Sequence, residues 1–167
     1  MSDWLPDLIL MQDSNNDWES YCQQIYSIFS RDFVNDKPRW CTGQRVSLKR
    51  HPEYDGKSAT FWHMVSEGNV ESERTPDLRR CERIAWVRAC MEAFDNQSPI
   101  SGQVGKIVWW KEKRGSEERY LLSLTDFSYI VVIADRKSYV LPWTAYCVEY
   151  EHQRRKLGRK YKAYWNL

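Results

Sequence analysis

The sequence predicts an α+β fold, with N-terminal helices packed on a C-terminal antiparallel four-stranded β-meander and a short C-terminal helix after it. In the first half, apolar residues recur every three or four positions, which is typical of amphipathic helices. In the second half, hydrophobicity alternates every two residues between short polar turns, which is typical of strands. The chain has 167 residues, 42% of them hydrophobic. That is enough for one core, so we expect a loosely ordered N-terminus (1–16) and a single domain (17–167, core 45–150).

Two helices are predicted in the first half. Residues 17–34 place an apolar stripe on one side of a helix that ends before Pro38. A second helix is predicted from Thr75 to about Phe94, because Thr75 can cap it, Pro76 fits its first position and Asp77 its first turn. Between them, 45–49 alternate like a strand, 51–57 are typical of a loop, and 59–65 fit either a strand or a helix.

Five strand-like runs follow a loop predicted at 95–105. Loops of two to five residues separate them, so neighbouring strands should be antiparallel. Pro142 has no amide hydrogen to donate to a ladder, so the last two runs are predicted to form one strand bent at that residue. This leaves four strands built from residues 106–111, 119–124, 129–134 and 138–150.

Charge is distributed unevenly along the chain. Residues 1–40 carry three Lys/Arg against seven Asp/Glu, whereas 106–167 carry thirteen against seven. The last 17 residues hold six of those cations and one carboxylate, interleaved with aromatic residues. Such a segment either binds phosphates and stacks on bases, or is a solvated helix with its aromatic residues on the core.

Several classes of protein are disfavoured by what the sequence contains. No run approaches the roughly 18 apolar residues of a membrane span, and the N-terminus does not resemble a signal peptide, so we expect a cytoplasmic protein. The five cysteines are widely spaced, without a C-x-x-C pair. Neither metal-ligand spacing nor a nucleotide- or cofactor-binding motif is found. We therefore expect neither a metal nor a cofactor.

The candidate catalytic residue is His63, which stands among large apolar residues in a segment rich in cations (45–88). An imidazole in such a place is either a core histidine or a tuned acid or base. On the predicted helix Arg79, Arg80 and Arg83 would project together as a cationic patch, or else pair with nearby carboxylates on the surface. A histidine with guanidinium groups suits RNA cleavage, in which the ribose 2′-OH attacks the adjacent phosphorus.

Further residues are candidates for substrate contact. His51 and Lys57 lie in the predicted loop, and Arg74 precedes the second helix. Thr144 and Tyr146 lie at the end of the sheet, where a hydroxyl and a phenol can contact a phosphate or stack on a base. Each also has an ordinary structural interpretation, as a surface residue, a turn lysine or a strand pair.

Four segments together resemble a known group: 51–57 (HPEYDGK), 61–63 (FWH), 67–68 (EG) and 74–84 (RTPDLRRCERI). They are similar to small bacterial and prophage proteins of the phage-borne branch of the barnase/EndoU/colicin/RelE-like nuclease superfamily. Residues 144–146 (TAY) resemble a threonine–aromatic feature of those domains. The resemblance covers roughly 45–150. It implies N-terminal helices followed by an antiparallel meander, and metal-independent RNA cleavage.

Catalytic residues differ among branches of that superfamily, so the resemblance assigns roles only to His63, the three arginines, Thr144 and Tyr146. The expected function is therefore a toxin-like or prophage endoribonuclease that produces a 2′,3′-cyclic phosphate. Its expected partners are RNA and, as in some branches, a neutralising antitoxin or immunity protein. The alternative is a non-catalytic nucleic-acid-binding or protein-interaction accessory protein of a mobile element.

Overall fold

A computed structural model describes residues 3–97 and 105–167, and these form an α+β fold with five α-helices and a five-stranded mixed sheet. The first half contains α1 (Trp18–Phe29), α2 (Ala59–Val65), α3 (Leu78–Glu82) and α4 (Ile84–Asn96). The second half contains β4 (Ile107–Arg114), β5 (Glu117–Leu124), β6 (Tyr129–Asp135), β7 (Tyr139–Cys147) and α5 (Glu151–Trp165). Three short strands precede them: β1 (Arg45–Val46), β2 (Ser66–Glu67) and β3 (Thr75–Pro76).

The prediction of a purely antiparallel four-stranded meander was wrong. Strands β4 to β7 do form a meander, but β1 adds a fifth strand beside β7, and it runs parallel to β7. Arg45 pairs with Tyr139 and Val46 with Val140. The alternation of residues 45–49 predicted a strand here, but its partner β7 lies far along the chain, so local pattern could not assign it to the sheet.

Helices cover both faces of the sheet, which also differs from the prediction. Helices α1, α2 and α4 share one hydrophobic core with the first face, formed by residues such as Leu122 and Ile133. Helix α5 packs Leu157 and Tyr161 against Val108, Trp110 and Ile130 on the second face. With 15 residues, α5 is the longest described helix, not a short one.

The second predicted helix is two helices in the structure. Thr75 and Pro76 belong to β3, and Asp77 is the cap, since its carboxylate accepts the backbone N–H groups of Arg79 and Arg80. Helix α3 ends after five residues, and at Arg83 the backbone leaves helical geometry (φ −109°, ψ 19°) before α4 begins. This break determines where the arginines point.

The N-terminal segment also makes defined contacts. In the segment expected to be loosely ordered, Pro6 and Ile9 accept hydrogen bonds from Trp86 Nε1 and the Tyr21 hydroxyl.

Most of the loop predicted at 95–105 lies outside the described residues. Within the described ranges, no helix has the length and the hydrophobicity needed to cross a membrane.

Candidate functional site

His63 and Glu71 form a close pair. Helix α2, capped by the Ser58 hydroxyl, holds His63, and a 3₁₀ turn between β2 and β3 holds Glu71. The distance between His63 Nε2 and Glu71 Oε1 is 2.5 Å. The histidine side chain is 6% exposed and that of the glutamate 40%, so the carboxylate is the partner that meets solvent. An ionised carboxylate only accepts hydrogen bonds, so this contact places the imidazole proton on Nε2 and leaves Nδ1 as the basic nitrogen.

The environment of His63 favours its neutral form. Burial lowers the pKa of the imidazole below its usual value of 6.5, the hydrogen bond to Glu71 opposes this, and the charges of Arg74 and Lys49 lower it further. The net shift is downward. At neutral pH the imidazole is therefore a base and not an acid.

A cation cluster surrounds Trp143 beside this pair. The Trp143 ring meets the His63 ring edge to face, with 4.9 Å between centroids. Lys49 Nζ, Arg119 Cζ and Arg136 Cζ lie 5.6, 5.1 and 5.8 Å from the centre of the same ring. Such distances allow cation–π attraction.

The position of Trp143 comes from an irregularity in the sheet. Val132 pairs with Thr144 but Ile133 pairs with Pro142, so Trp143 is the extra residue of a β-bulge. Bulges redirect side chains and are over-represented next to active sites. Here the bulge sets the indole among cations from three other segments of the chain.

The cation cluster is only partly neutralised. Glu117 pairs with both Arg119 and Arg136. Lys49 has no ion pair among the described residues. A phosphate entering beside Trp143 would compete with Glu117 for the two arginines and would meet the Lys49 ammonium without such competition.

Arg74 is near His63, but its guanidinium serves the fold. It donates to the Ser66 hydroxyl at 3.0 Å, to the Gly68 carbonyl at 2.8 Å and to the Ser66 carbonyl at 2.5 Å. Burial lowers its pKa. These bonds hold the turn that carries Glu71, so we interpret Arg74 as a positioning residue.

The prediction that Arg79, Arg80 and Arg83 project from one continuous helix was wrong, because the helix breaks at Arg83. Arg79 pairs with Glu149 at 2.7 Å. Arg80 donates to the Ser66 carbonyl at 2.7 Å and to the Thr144 hydroxyl at 3.3 Å. Arg83 instead reaches back to the Arg79 carbonyl, and its guanidinium lies 5.0 Å from the centre of the Trp86 ring.

Thr144 and Tyr146 lie where Arg80 reaches the sheet. The Thr144 hydroxyl donates to the His63 carbonyl at 2.9 Å, so it ties α2 to β7. Arg80 Cζ is 6.0 Å from the centre of the Tyr146 ring, and burial raises the pKa of that phenol. Both residues therefore adjoin the site. Thr144 links β7 to α2, and the Tyr146 ring lies beside the Arg80 guanidinium.

A groove of about 740 Å³ runs between α3, the end of β7 and α5. Arg79, Arg80, Tyr146, Lys156 and Lys160 are among its lining residues, together with three carboxylates. The His63 side chain does not line it. Arg80, one of the arginines of this groove, is linked to His63 through the Thr144 hydroxyl, which donates to the His63 carbonyl.

The two loop candidates have different environments. His51 is exposed. Lys57 is buried, with its ammonium bonded to the Asp55 carbonyl and carboxylate and 5.4 Å from the centre of the Tyr26 ring. Lys57 therefore holds its own turn closed and is not placed to swing onto a phosphate.

Sequence reasoning missed Glu71, Trp143, Arg119 and Arg136 as members of the site. Carboxylates near the arginines were considered only as surface partners for them, and Thr144 and Tyr146 were the only strand residues proposed for the site. The Pro142–Trp143–Thr144 triplet carried a usable signal, since a proline inside a strand suggests a bulge.

Comparison with known proteins adds no assignment: no protein-family model, no curated protein and no solved structure matches the chain. The nuclease resemblance thus rests on the sequence segments alone. In residues 3–97 and 105–167, no group of three or more His, Cys, Asp or Glu side chains is arranged to hold a metal ion.

Proposed function

We propose that this protein is an endoribonuclease that cleaves RNA by attack of the ribose 2′-OH on the adjacent phosphorus. The observation that carries the proposal is the His63–Glu71 pair, set beside the cations around Trp143. A base oriented by a carboxylate and fixed cations for phosphoryl charge are two of the components that this reaction needs, and an acid for the leaving oxygen is the third.

In the proposed step, His63 Nδ1 takes the proton from the 2′-OH while Glu71 holds the opposite nitrogen. The 2′-oxygen bonds to phosphorus, and the bond from phosphorus to the 5′-oxygen breaks. Lys49 and Arg119 stabilise the charge on the phosphoryl oxygens, and Lys49 is a candidate acid for the leaving oxygen. The products are a 2′,3′-cyclic phosphate and a 5′-hydroxyl.

Access to His63 sets a condition on this step. Its side chain is 6% exposed, so the ribose reaches Nδ1 only when a neighbouring side chain such as Trp143 moves aside while the bond to Glu71 is kept. Substrate binding would provide the energy for this movement.

Helix α5 supplies a surface for the rest of the RNA chain. The side chains of Arg155, Lys156, Arg159 and Lys162 are exposed and have no ion pairs among the described residues. Exposed cations of this kind neutralise backbone phosphates without selecting a sequence. Tyr146 in the adjoining groove offers an aromatic ring for stacking.

The test is cleavage of end-labelled RNA by purified protein in the presence of a chelator, with the fragment ends identified. We expect 2′,3′-cyclic phosphate ends, and a roughly 10²–10⁴-fold lower rate for His63→Ala, since that is what general acid–base catalysis typically contributes. His152→Ala is the matched control, because His152 is exposed on α5. Equal rates for wild type and His63→Ala, or no cleavage of any of several RNAs, would refute the proposal.

The burial of His63 favours a second candidate, a non-catalytic protein that binds single-stranded nucleic acid through α5 and the adjoining groove. Binding that weakens steeply with salt, without cleavage, would support this candidate. Under either proposal, a neutralising partner protein stays a prediction.

A further inference from the structure

A second cavity, of about 490 Å³, adjoins the His63–Glu71 pair at Glu71. Its walls include three aromatic residues, Trp18, Tyr54 and Trp62, and two carboxylates, Glu53 and Glu71. Glu71 thus belongs both to this cavity and to the proposed catalytic pair. We propose that the cavity is a nucleobase subsite, which binds a base of the RNA next to the cleaved bond. This inference rests on the proposed function.

The strongest argument is the placement of Tyr54. Its ring is 71% exposed, although a large aromatic side chain gains most by burial. It meets Trp62 edge to face with 5.6 Å between ring centroids. Two aromatic rings at the mouth of a cavity are a stacking surface for a planar base.

The backbone around Tyr54 is fixed in advance. Tyr54 and Lys57 exchange backbone hydrogen bonds of 3.0 Å across a two-residue turn. Asp55 and Gly56 both have positive φ, 53° and 70°, as a tight hairpin turn of this kind requires. The buried Lys57 ammonium donates to the Asp55 carbonyl within the turn, and Trp62 Nε1 donates to the Tyr54 carbonyl at 3.0 Å. Because these bonds hold the turn in place, little conformational entropy of the backbone is lost when the exposed Tyr54 ring binds a base.

The polar lining indicates which bases fit. Glu53 and Glu71 offer carboxylate oxygens, which accept hydrogen bonds, and the Arg74 guanidinium in the same wall is engaged by Ser66 and Gly68. Acceptors of this kind match the amino groups of guanine, adenine and cytosine. Uracil has no amino group, so it should bind less well.

The test uses 3′-mononucleotides, which have no scissile bond, and follows the tryptophan fluorescence of the whole protein during titration. We expect GMP, AMP and CMP to bind more tightly than UMP. Tyr54→Ala should weaken binding by about tenfold or more, because base–aromatic stacking has that size. Glu53→Gln should reduce the preference over UMP while leaving stacking intact.

Tyr150→Ala is the matched control, because Tyr150 is also an exposed aromatic residue (58%) but lies beside His152, away from this cavity. Equal affinity of wild type and Tyr54→Ala for all four nucleotides would overturn the inference. Mononucleotide binding that depends on Tyr54, without any RNA cleavage, would instead sustain the subsite and refute the nuclease. Cleavage unaffected by Tyr54→Ala, without nucleotide binding, would do the reverse.

Discussion

The two faces of the sheet differ in how completely helices cover them. On the first face, α1, α2 and α4 bury a continuous core in which Phe29, Phe33 and Phe61 pack ring against ring. On the second face, α5 covers part of the strands, and the β7 side carries Trp143, Thr144 and the cations that reach them. The comparison teaches that a complete helical cover provides stability, whereas an incomplete one leaves room for chemistry.

The largest predicted effect is a loss of stability on substitution of a core residue on the first face. Phe29 is fully buried on α1, so Phe29→Ala leaves a cavity and should lower the free energy of unfolding by about 3–5 kcal/mol. Urea denaturation measures this. Val34→Ala is the control, since Val34 is 52% exposed and should change stability by no more than about 0.5 kcal/mol. A small loss for Phe29→Ala would mean that the first face is not the main core.

A smaller effect is expected at Thr144, where the second face meets α2. Thr144→Val keeps the shape but removes the hydroxyl between Arg80 and the His63 carbonyl. Leaving such partners unsatisfied costs about 1–3 kcal/mol, and RNA cleavage should fall as well, because α2 loses a tie that places His63. Denaturation and cleavage rates check both parts. Thr125→Val, at an exposed position, should change neither.

The α5 surface should affect binding and leave stability unchanged. Lys156→Ala combined with Arg159→Ala removes two exposed cations. The slope of log affinity against log salt for single-stranded RNA should then fall by about 1.4, at about 0.7 per phosphate contact. Titrations at several salt concentrations measure it. The double variant Lys113→Ala with Lys137→Ala is the control, because it removes two exposed cations outside α5, one near the end of β4 and one in the turn before β7. An unchanged slope for the α5 variant would remove α5 from the RNA interface.

The smallest predicted effect is on the pH dependence of stability. The pKa of His63 is lowered in the folded protein, so the folded state binds its proton less readily than the unfolded state does. Its contribution to stability is therefore present above the unfolded value of 6.5 and is lost as the pH falls through the folded pKa. His63→Gln should lose less stability than wild type on acidification from neutral pH. Parallel losses in urea experiments would contradict the shift.

Local pattern was enough for much of the fold. The period of two in β4 to β7 and the short turns between them predicted the meander, and the proline in β7 predicted one bent strand where five runs had been counted. Pairing confirms the single strand, with a register shift between Val132 and Ile133. The first helix and α4 also follow the apolar spacing, because each buries one stripe on the sheet.

The candidate site was less predictable, and the arginines show why. A continuous helix would have put Arg79, Arg80 and Arg83 together, but Asp77 capped the chain two residues later than expected and the helix broke at Arg83. Each guanidinium then found a different partner, since long side chains are oriented by whichever acceptors lie within reach.

By itself, the sequence determined the α+β class, the strand meander, the choice of His63 as the candidate catalytic residue and the concentration of positive charge near the C-terminus. These depend on periodicity and composition, which are local properties. Only the tertiary structure decided that β1 joins the sheet, that α5 covers the second face, that Glu71 and Trp143 contact His63, and that Arg119 lies against Trp143. Those contacts join residues from four segments of the chain, and their closeness depends on strand register and packing, which no single segment encodes.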